Sequence, residues 1–281
     1  MTSEPTAVPD RLRVARLAAE QASRTALDFF QRPRVRNWAK EDGSLVTEAD
    51  LATEERVREV LAELAPGERV MGEEFGGSGG NDGHWIVDPV DGTENFRRGV
   101  PVWGVLIAWS AGGQVTDAVI AAPALGRSWS ASRGRGAHDG DGRRLRVSTV
   151  ADRAEASFSF GGAHEYEPAA MARLGAFASG FRTAWGIGNF YGHVLVAEGA
   201  ADGALSVGTS VWDVAAPSLI VEEAGGSWSD LDAGLRLDSG AVLTSNGVLH
   251  EPILRGVRAA CATVDEDREQ DEERDEERER T

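Results

Sequence analysis

Cysteine is almost absent from this sequence, which has Cys261 as its only thiol among 281 residues. One thiol can form no disulfide within the chain, which fits a reducing compartment. The N-terminus has no apolar segment of the kind found in signal peptides, and no apolar run is long enough to cross a bilayer. We therefore predict a cytoplasmic protein that has no membrane partner.

Positive charge is also scarce, since 29 Lys and Arg residues face 46 Asp and Glu residues and leave a formal net charge of −17. Residues 265–281 contain eleven acids and four arginines, a net charge of −7 that leaves −10 for the rest of the chain. Because this segment has no apolar residue, we predict an acidic disordered tail there, and a flexible leader at residues 1–9. An acidic body argues against nucleic acid as a partner. It does not exclude a small anionic substrate, because bound divalent metal ions reverse the local field.

Three familiar catalytic or cofactor patterns are missing. The five histidines (84, 138, 164, 193 and 250) have no zinc-ligand spacing. Residues 157–164 form no nucleophile elbow, and Gly186 with Gly188 gives only a partial dinucleotide pattern. The sequence therefore does not favour a zinc hydrolase, a serine hydrolase or a dinucleotide-binding protein.

A regular series of helices and strands is predicted instead. The first helix has Asp10 as its N-cap and runs to about Phe30. A second helix begins after Thr47, with Asp50 three residues on in a capping-box arrangement, and stops before Pro66. Apolar runs between glycine-rich turns predict strands at 84–90, 102–109, 115–122, 127–132 and 145–148. A second half, beginning near residue 151, alternates strand-like and helical pieces up to residue 264.

Two carboxylates three positions apart stand at the end of the strand predicted at 84–90. Burying them without a partner would carry a large penalty, so a cation is expected beside Asp88 and Asp91. Hard cations such as Mg²⁺ take oxygen ligands, and the Val90 carbonyl offers a third one on the same turn. Gly92 and Thr93 would then open a helix whose free N–H groups suit a phosphate. Adjacent binding sites for a metal ion and a phosphate are typical of a metal-assisted phosphate-ester hydrolase.

Residues 85–96 match the W-x-x-D-P-x-D-G-T-x-x-F signature of the inositol monophosphatase superfamily at every fixed position. Three further matching pieces occur in order along the chain, at residues 40–50, at 71–74, and at 212–216 followed by 223–226. The chain therefore resembles that superfamily over most of its length. The resemblance implies a layered α-β-α-β-α sandwich of the inositol monophosphatase and fructose-bisphosphatase type. An N-terminal α+β half at residues 10–150 would pack on a C-terminal α/β half at 151–264, and the protein would be a homodimer.

The resemblance also assigns roles to individual residues. Two or three Mg²⁺ ions would be held by four carboxylates and one carbonyl, those of Glu73, Asp88, Asp91, Asp213 and Val90. Thr93, oriented by Asp50, would position or deprotonate the attacking water, and Glu73 could share the role of base. Gly92 and the Thr93 N–H would approach the phosphate. Asp50 has an alternative interpretation as a plain capping residue, and Lys40 is either a loop lysine near the third metal or a solvated charge.

The likeness is greatest to the actinobacterial histidinol-phosphate phosphatase branch, at residues 99–103, 122–127, 195–200 and 244–247. That branch usually has acids at the two pocket positions that Asn189 and Ser206 occupy here, so Coulombic attraction for a cationic or polyhydroxylated leaving group is reduced. We expect histidinol phosphate or a related amino or hydroxy metabolite phosphate as substrate. One alternative is a nucleotide or secondary-metabolite monophosphatase acting on a nucleoside or aminosugar phosphate. Another, of a different class, is a non-catalytic metabolite- or partner-binding protein on the same scaffold.

Overall fold

The computed structural model describes residues 10–40 and 43–261. The predicted leader at 1–9 and the predicted acidic tail at 265–281 lie outside the described residues. In chain order the helices are α1 (Arg11–Phe30), α2 (Glu48–Leu64), α3 (Thr93–Arg97), α4 (Pro168–Ala178), α5 (Phe190–Ala197), α6 (Val211–Glu223) and α7 (His250–Cys261). The strands are β1 (Asn37–Ala39), β2 (Leu45–Thr47), β3 (Arg69–Gly72), β4 (His84–Asp91), β5 (Gly104–Ala111), β6 (Gln114–Ala122), β7 (Arg127–Ser132), β8 (Gly136–Asp139), β9 (Ser157–Phe160), β10 (Thr183–Trp185), β11 (Gly203–Val207), β12 (Ser227–Ser229) and β13 (Ala241–Ser245).

Strands β3 to β8 form a six-stranded sheet in sequence order, in which β3 and β4 are parallel and the other neighbours are antiparallel. Its central strands are apolar on both faces because both faces are covered. On β5, Ile107 and Trp109 pack towards α1 and α2, whereas Leu106 and Ala108 pack towards α5 and α6. These runs of apolar residues are therefore buried strands of a layered fold.

The second sheet has the order β10-β9-β11-β13-β12. Its outer face packs on α4 and α7 through Phe158, Leu205 and Leu243 of the sheet and Leu174 and Ile253 of the helices. Its other face contacts α5 and α6, which thus lie between the two sheets. The layers run from α1 and α2 through the first sheet, α5 and α6, and the second sheet to α4 and α7. The predicted α-β-α-β-α sandwich is confirmed.

The predicted elements agree with the structure, with one exception. Helix α1 begins after Asp10, whose carboxylate accepts from the Arg13 N–H, and α2 follows a capping box of Thr47 and Asp50. Strands β4 to β7 lie within two residues of their predicted bounds. The strand predicted at 145–148 is wrong. This segment crosses between elements, since the Leu145 N–H bonds the Ala137 carbonyl of β8 and the Val147 N–H bonds the Ala224 carbonyl after α6.

Among the described residues, no helix combines the length and apolar character that crossing a membrane requires. The division of the chain near residue 151, the homodimer and the cytoplasmic location stay predictions.

Candidate active site

Strand β4 carries two acidic side chains into the interior, at the point where its pairing with β5 becomes irregular. Asp88 is 1% exposed and Asp91 is 8% exposed. The register against β5 shifts between these two residues, where Pro89 interrupts the regular ladder. Asp88 Oδ1 accepts from the Val90 N–H at 3.0 Å, which closes the turn between the carboxylates. The local sequence therefore folds both acids to one end of a buried strand.

A third carboxylate reaches the same place from α6. Asp213 stands in the first turn of that helix, where its Oδ2 accepts from the Ser210 N–H at 2.6 Å. Asp91 Oδ2 in turn accepts from the Phe190 N–H at the start of α5, at 2.5 Å. One carboxylate oxygen from each of Asp88, Asp91 and Asp213 lies within 4.8 Å of the other two. Elements from both halves of the chain thus hold a compact acidic cluster.

The cluster fits a divalent cation. Burial raises the pKa of Asp88 well above its usual range, and the charges of Glu73, Asp91 and Asp213 raise it further. Burial and the charge of Asp213 likewise raise the pKa of Asp91, and burial raises that of Asp213 to about 6. Three partly desolvated carboxylates repel one another unless a cation lies between them. Their oxygens are the ligands that Mg²⁺ prefers.

Glu73 follows β3 and is paired with the only lysine of the sequence. Lys40 Nζ lies 2.9 Å from Glu73 Oε1 and 2.8 Å from Glu74 Oε1. The Glu73 backbone N–H donates to the Val87 carbonyl at 3.2 Å, which places the residue beside β4. Its charge contributes to the raised pKa values of Asp88 and Asp213. Lys40 is therefore engaged in the site, whereas Glu73 lies at the edge of the three-carboxylate cluster.

Thr93 and Asp50 are in direct contact. The Thr93 hydroxyl lies 3.1 Å from Asp50 Oδ1 and 3.1 Å from the Val90 carbonyl, both of which can accept its proton. Asp50 Oδ2 accepts from the Thr47 N–H at 2.9 Å, so the same carboxylate caps α2. Burial raises the pKa of Asp50 to about 6. The capping interpretation and the contact with Thr93 are thus compatible in one residue.

Gly92 needs the backbone freedom of glycine. Its φ is +91°, and a Cβ atom there would lie 2.5 Å from Asn189 Nδ2 and 3.1 Å from the Val102 carbonyl. Asn189 Nδ2 donates to that carbonyl at 3.2 Å, and its Oδ1 accepts from the Tyr191 N–H at 3.1 Å to cap α5. The amide of Asn189 is therefore fixed by backbone groups on both of its ends.

A cleft in two lobes opens beside the acidic cluster. The first lobe, of about 340 Å³, is lined by Asp91 and Asp213, among others, and the second, of about 360 Å³, lies towards residues 186–188. The lobes share Gly92, Glu165 and Asn189. The cleft is continuous with the acidic cluster, so it offers room for a ligand bound there.

Ser206, the second predicted pocket residue, also lines the first lobe. Its Oγ lies 3.0 Å from Nε2 of the fully buried His193, whose Nδ1 lies 2.8 Å from Thr244 Oγ1. Burial lowers the pKa of His193 to about 4, so the imidazole is neutral at pH 7. The first lobe therefore has a neutral hydroxyl at the position where the histidinol-phosphate phosphatase branch usually has an acid.

Glu54 and Glu165 are two acidic residues near the site that sequence reasoning missed. Glu54 is fully buried on α2 and accepts from the backbone N–H groups of Glu74 and Phe75, at 2.7 and 3.3 Å, and from Arg58 Nε at 2.8 Å. It holds the turn that carries Glu73. Its place four residues after Asp50, on the buried stripe of α2, was the available signal. Glu165 stands on the short 3-10 turn Ala163–Glu165 and had no comparable signal.

Comparisons with known proteins agree with this geometry. The model of the inositol monophosphatase family matches residues 10–262. The chain is 42% identical over 259 residues to a histidinol-phosphatase of Mycobacterium tuberculosis, covering 89% of this chain and 98% of that protein. It is 38% identical over 256 residues to a histidinol-phosphatase of Streptomyces coelicolor, covering 87% and 96%. The fold is similar to an IMPase of Thermotoga maritima with a TM-score of 0.81 and 29% identity, covering 89% of this chain and 98% of that one.

Proposed function

This chain belongs to the inositol monophosphatase family, and we propose that it is a Mg²⁺-dependent phosphomonoesterase acting on histidinol phosphate or a related amino or hydroxy metabolite phosphate. The broader prediction, a phosphoric monoester hydrolase similar to actinobacterial histidinol-phosphatases, is confirmed by the family match and by the named relatives. The observation that carries the mechanism is the convergence of Asp88, Asp91 and Asp213 in one buried cluster.

These three carboxylates would hold the metal, with the Val90 carbonyl and Glu73 as the further predicted ligands. Mg²⁺ bound there would offset the charge of the phosphate and lower the pKa of a water molecule. Asp91 and Asp213 are each held by a backbone N–H, at 2.5 and 2.6 Å, so their orientation is set before a ligand arrives. Such preorganisation keeps the carboxylates oriented towards the cleft.

Thr93 and Asp50 would position the attacking water. The Thr93 hydroxyl can donate its proton to Asp50 Oδ1, 3.1 Å away, which leaves its lone pairs to accept from water. Asp50 has a pKa of about 6, so it is mostly ionised at pH 7 and can act as that acceptor. The contact of Asp50 with Thr47 fixes it on the frame of α2. Thr93 and Asp50 would therefore orient the attacking water, and no side chain would need to act as the nucleophile.

The substrate proposal rests on two kinds of support. Two relatives that span nearly the whole chain are named histidinol-phosphatases. The cleft beside the cluster is large enough for a small metabolite and is lined by polar groups such as Ser206 and Glu165. Binding of the phosphate by Gly92, Thr93 and Lys40 is part of the same proposal and follows the family resemblance.

Phosphate release from a panel of esters tests the proposal. The panel contains histidinol phosphate, inositol phosphates, sugar and aminosugar phosphates, and nucleoside monophosphates and bisphosphates, each with Mg²⁺ and with a chelator. We expect Mg²⁺-dependent release from histidinol phosphate. Release confined to nucleotides or aminosugar phosphates would instead favour the alternative phosphatase. Binding of Mg²⁺ with no release from any ester would favour the non-catalytic binding protein.

A further inference from the structure

Ser206 on β11 and His193 on α5 both line the first lobe of the cleft. Ser206 is 8% exposed, and its Oγ lies 3.0 Å from Nε2 of His193. The other ring nitrogen of His193, Nδ1, lies 2.8 Å from Oγ1 of Thr244 on β13. A chain of two hydrogen bonds therefore runs from Thr244, inside the protein, through His193 to the wall of the lobe.

The direction of these two bonds is set at the Thr244 end. Thr244 is 0% exposed, and among the described residues its hydroxyl has no hydrogen-bond partner other than His193 Nδ1. A buried hydroxyl proton that is left without an acceptor carries a large penalty. The Thr244 hydroxyl therefore donates its proton to Nδ1, and Nδ1 is the acceptor of this bond.

The direction at Thr244 determines the direction at Ser206. Burial lowers the pKa of His193 to about 4, so the imidazole is neutral at pH 7 and carries one proton. Because Nδ1 accepts, that proton is on Nε2, which donates to the Ser206 Oγ. The Ser206 hydroxyl has no further partner in the part of the chain that the structure describes, so its own proton is available to a ligand in the lobe.

We propose that Ser206 is a specificity-determining residue that donates a hydrogen bond to an acceptor atom of the leaving group, and that His193 and Thr244 are positioning residues that set this direction. The proposal rests on the proposed phosphatase function and narrows its substrate class. A hydroxyl oxygen, a carbonyl oxygen or an unprotonated ring nitrogen can accept this bond, whereas an ammonium group cannot. The acceptor would lie near the ester, because Ser206 lines the same lobe as Asp91 and Asp213.

A matched pair of esters tests the role of Ser206. Dihydroxyacetone phosphate and 3-hydroxypropyl phosphate differ only in the carbonyl group on the middle carbon, and a carbonyl oxygen accepts hydrogen bonds but donates none. The measured quantity is the kcat/KM for the first ester divided by that for the second, with Mg²⁺. We expect Ser206→Ala to lower this ratio about fivefold from its wild-type value, mainly through KM, which is the factor that an ordinary net hydrogen bond supplies.

Ser218→Ala is the matched control. It also removes a buried hydroxyl, one that donates to the Ala215 carbonyl at 3.0 Å, and Ser218 lines neither lobe. This variant should keep the wild-type ratio. A change of similar size in Ser218→Ala would overturn the assignment, since it would show that the ratio responds to any buried hydroxyl.

NMR spectra of protein labelled with ¹⁵N-histidine test the positioning role of His193 and Thr244. The imidazole whose resonances move in Ser206→Ala is that of His193, because Ser206 contacts its Nε2. We expect the His193 proton to be on Nε2 in the wild-type protein. A proton on Nδ1 instead, or no resonance that moves in the variant, would overturn the proposed direction of the bonds.

The remaining outcomes separate this assignment from the phosphatase proposal. An unchanged ratio in Ser206→Ala would overturn the assignment alone, and so would an equal loss on both esters, because that pattern indicates a structural role. Turnover of other phosphate esters but of neither member of the pair would also overturn the assignment alone. No Mg²⁺-dependent turnover of any ester by the wild-type protein would overturn both proposals.

Discussion

Replacement of Asp213 by Asn should stabilise the metal-free protein while weakening its response to Mg²⁺. Asn keeps an oxygen that can accept from the Ser210 N–H, so the start of α6 retains its cap. What is lost is one negative charge from a cluster whose oxygens lie within 4.8 Å of one another. Because that charge is favourable only when a cation is present, the same substitution should have opposite effects with and without metal.

The magnitude follows from the pKa of Asp213, which burial raises from 3.8 to about 6. A shift of about two units corresponds to about 3 kcal/mol, and partial solvent contact of this side chain reduces the expected effect to about 2 kcal/mol. A carboxyl whose pKa is raised in the folded state destabilises the fold increasingly as pH rises through the interval from 3.8 to about 6. The gain in Asp213→Asn should therefore be full at pH 8 and absent near pH 3.5.

Thermal unfolding at pH 8, after chelation and then with Mg²⁺, measures both effects. Chelated Asp213→Asn should melt about 4–8 °C above chelated wild type, by the usual conversion for chains of this size. Mg²⁺ should raise the Tm of wild type and raise that of the variant less. Asp232→Asn is the control, since Asp232 is exposed and paired with Arg236. A lower Tm for chelated Asp213→Asn, or an equal gain from Mg²⁺ in both proteins, would refute this reasoning.

Two further substitutions separate positioning of water from positioning of metal ligands. Thr93→Val removes the hydroxyl that contacts Asp50 and should lower kcat about 10² to 10³-fold with little change in KM. Thr93→Ser keeps the hydroxyl and should keep most of the activity. Equal losses in both variants would contradict the role of the hydroxyl. In Glu54→Gln an amide N–H would face one of the three N–H donors that Glu54 now accepts from. This variant should raise the Mg²⁺ concentration for half-maximal activity roughly tenfold, with kcat near wild type at saturation. An unchanged Mg²⁺ titration would show that Glu54 does not position Glu73.

The part of the site that could be predicted is the part that is local in sequence. Asp88 and Asp91 are three residues apart at the end of one strand, so their convergence needs only the strand and its turn. Asp213 was found through the family resemblance, because no pattern of spacing links residues more than one hundred positions apart. The contact of Asp50 with Thr93 likewise depends on how α2 packs beside the end of β4.

Glu54 and Glu165 show why the rest could not be predicted. The position of Glu54 on the buried stripe of α2 indicates that it is buried, but only the packed structure shows that it accepts from the turn after β3. Glu165 reaches the cleft because Gly161 and Gly188 leave space for it, which is a property of the tertiary structure. The strand predicted at 145–148 was wrong for a related reason, since its apolar residues are buried in a crossing segment whose hydrogen bonds go to two different elements.

Phosphate release from histidinol phosphate, with Mg²⁺ and then with excess chelator, tests the central claim most directly. We expect turnover with Mg²⁺, its loss on chelation and its recovery when Mg²⁺ is returned. Turnover that persists unchanged in excess chelator would contradict the assignment of Asp88, Asp91 and Asp213 as the metal-binding centre of the reaction.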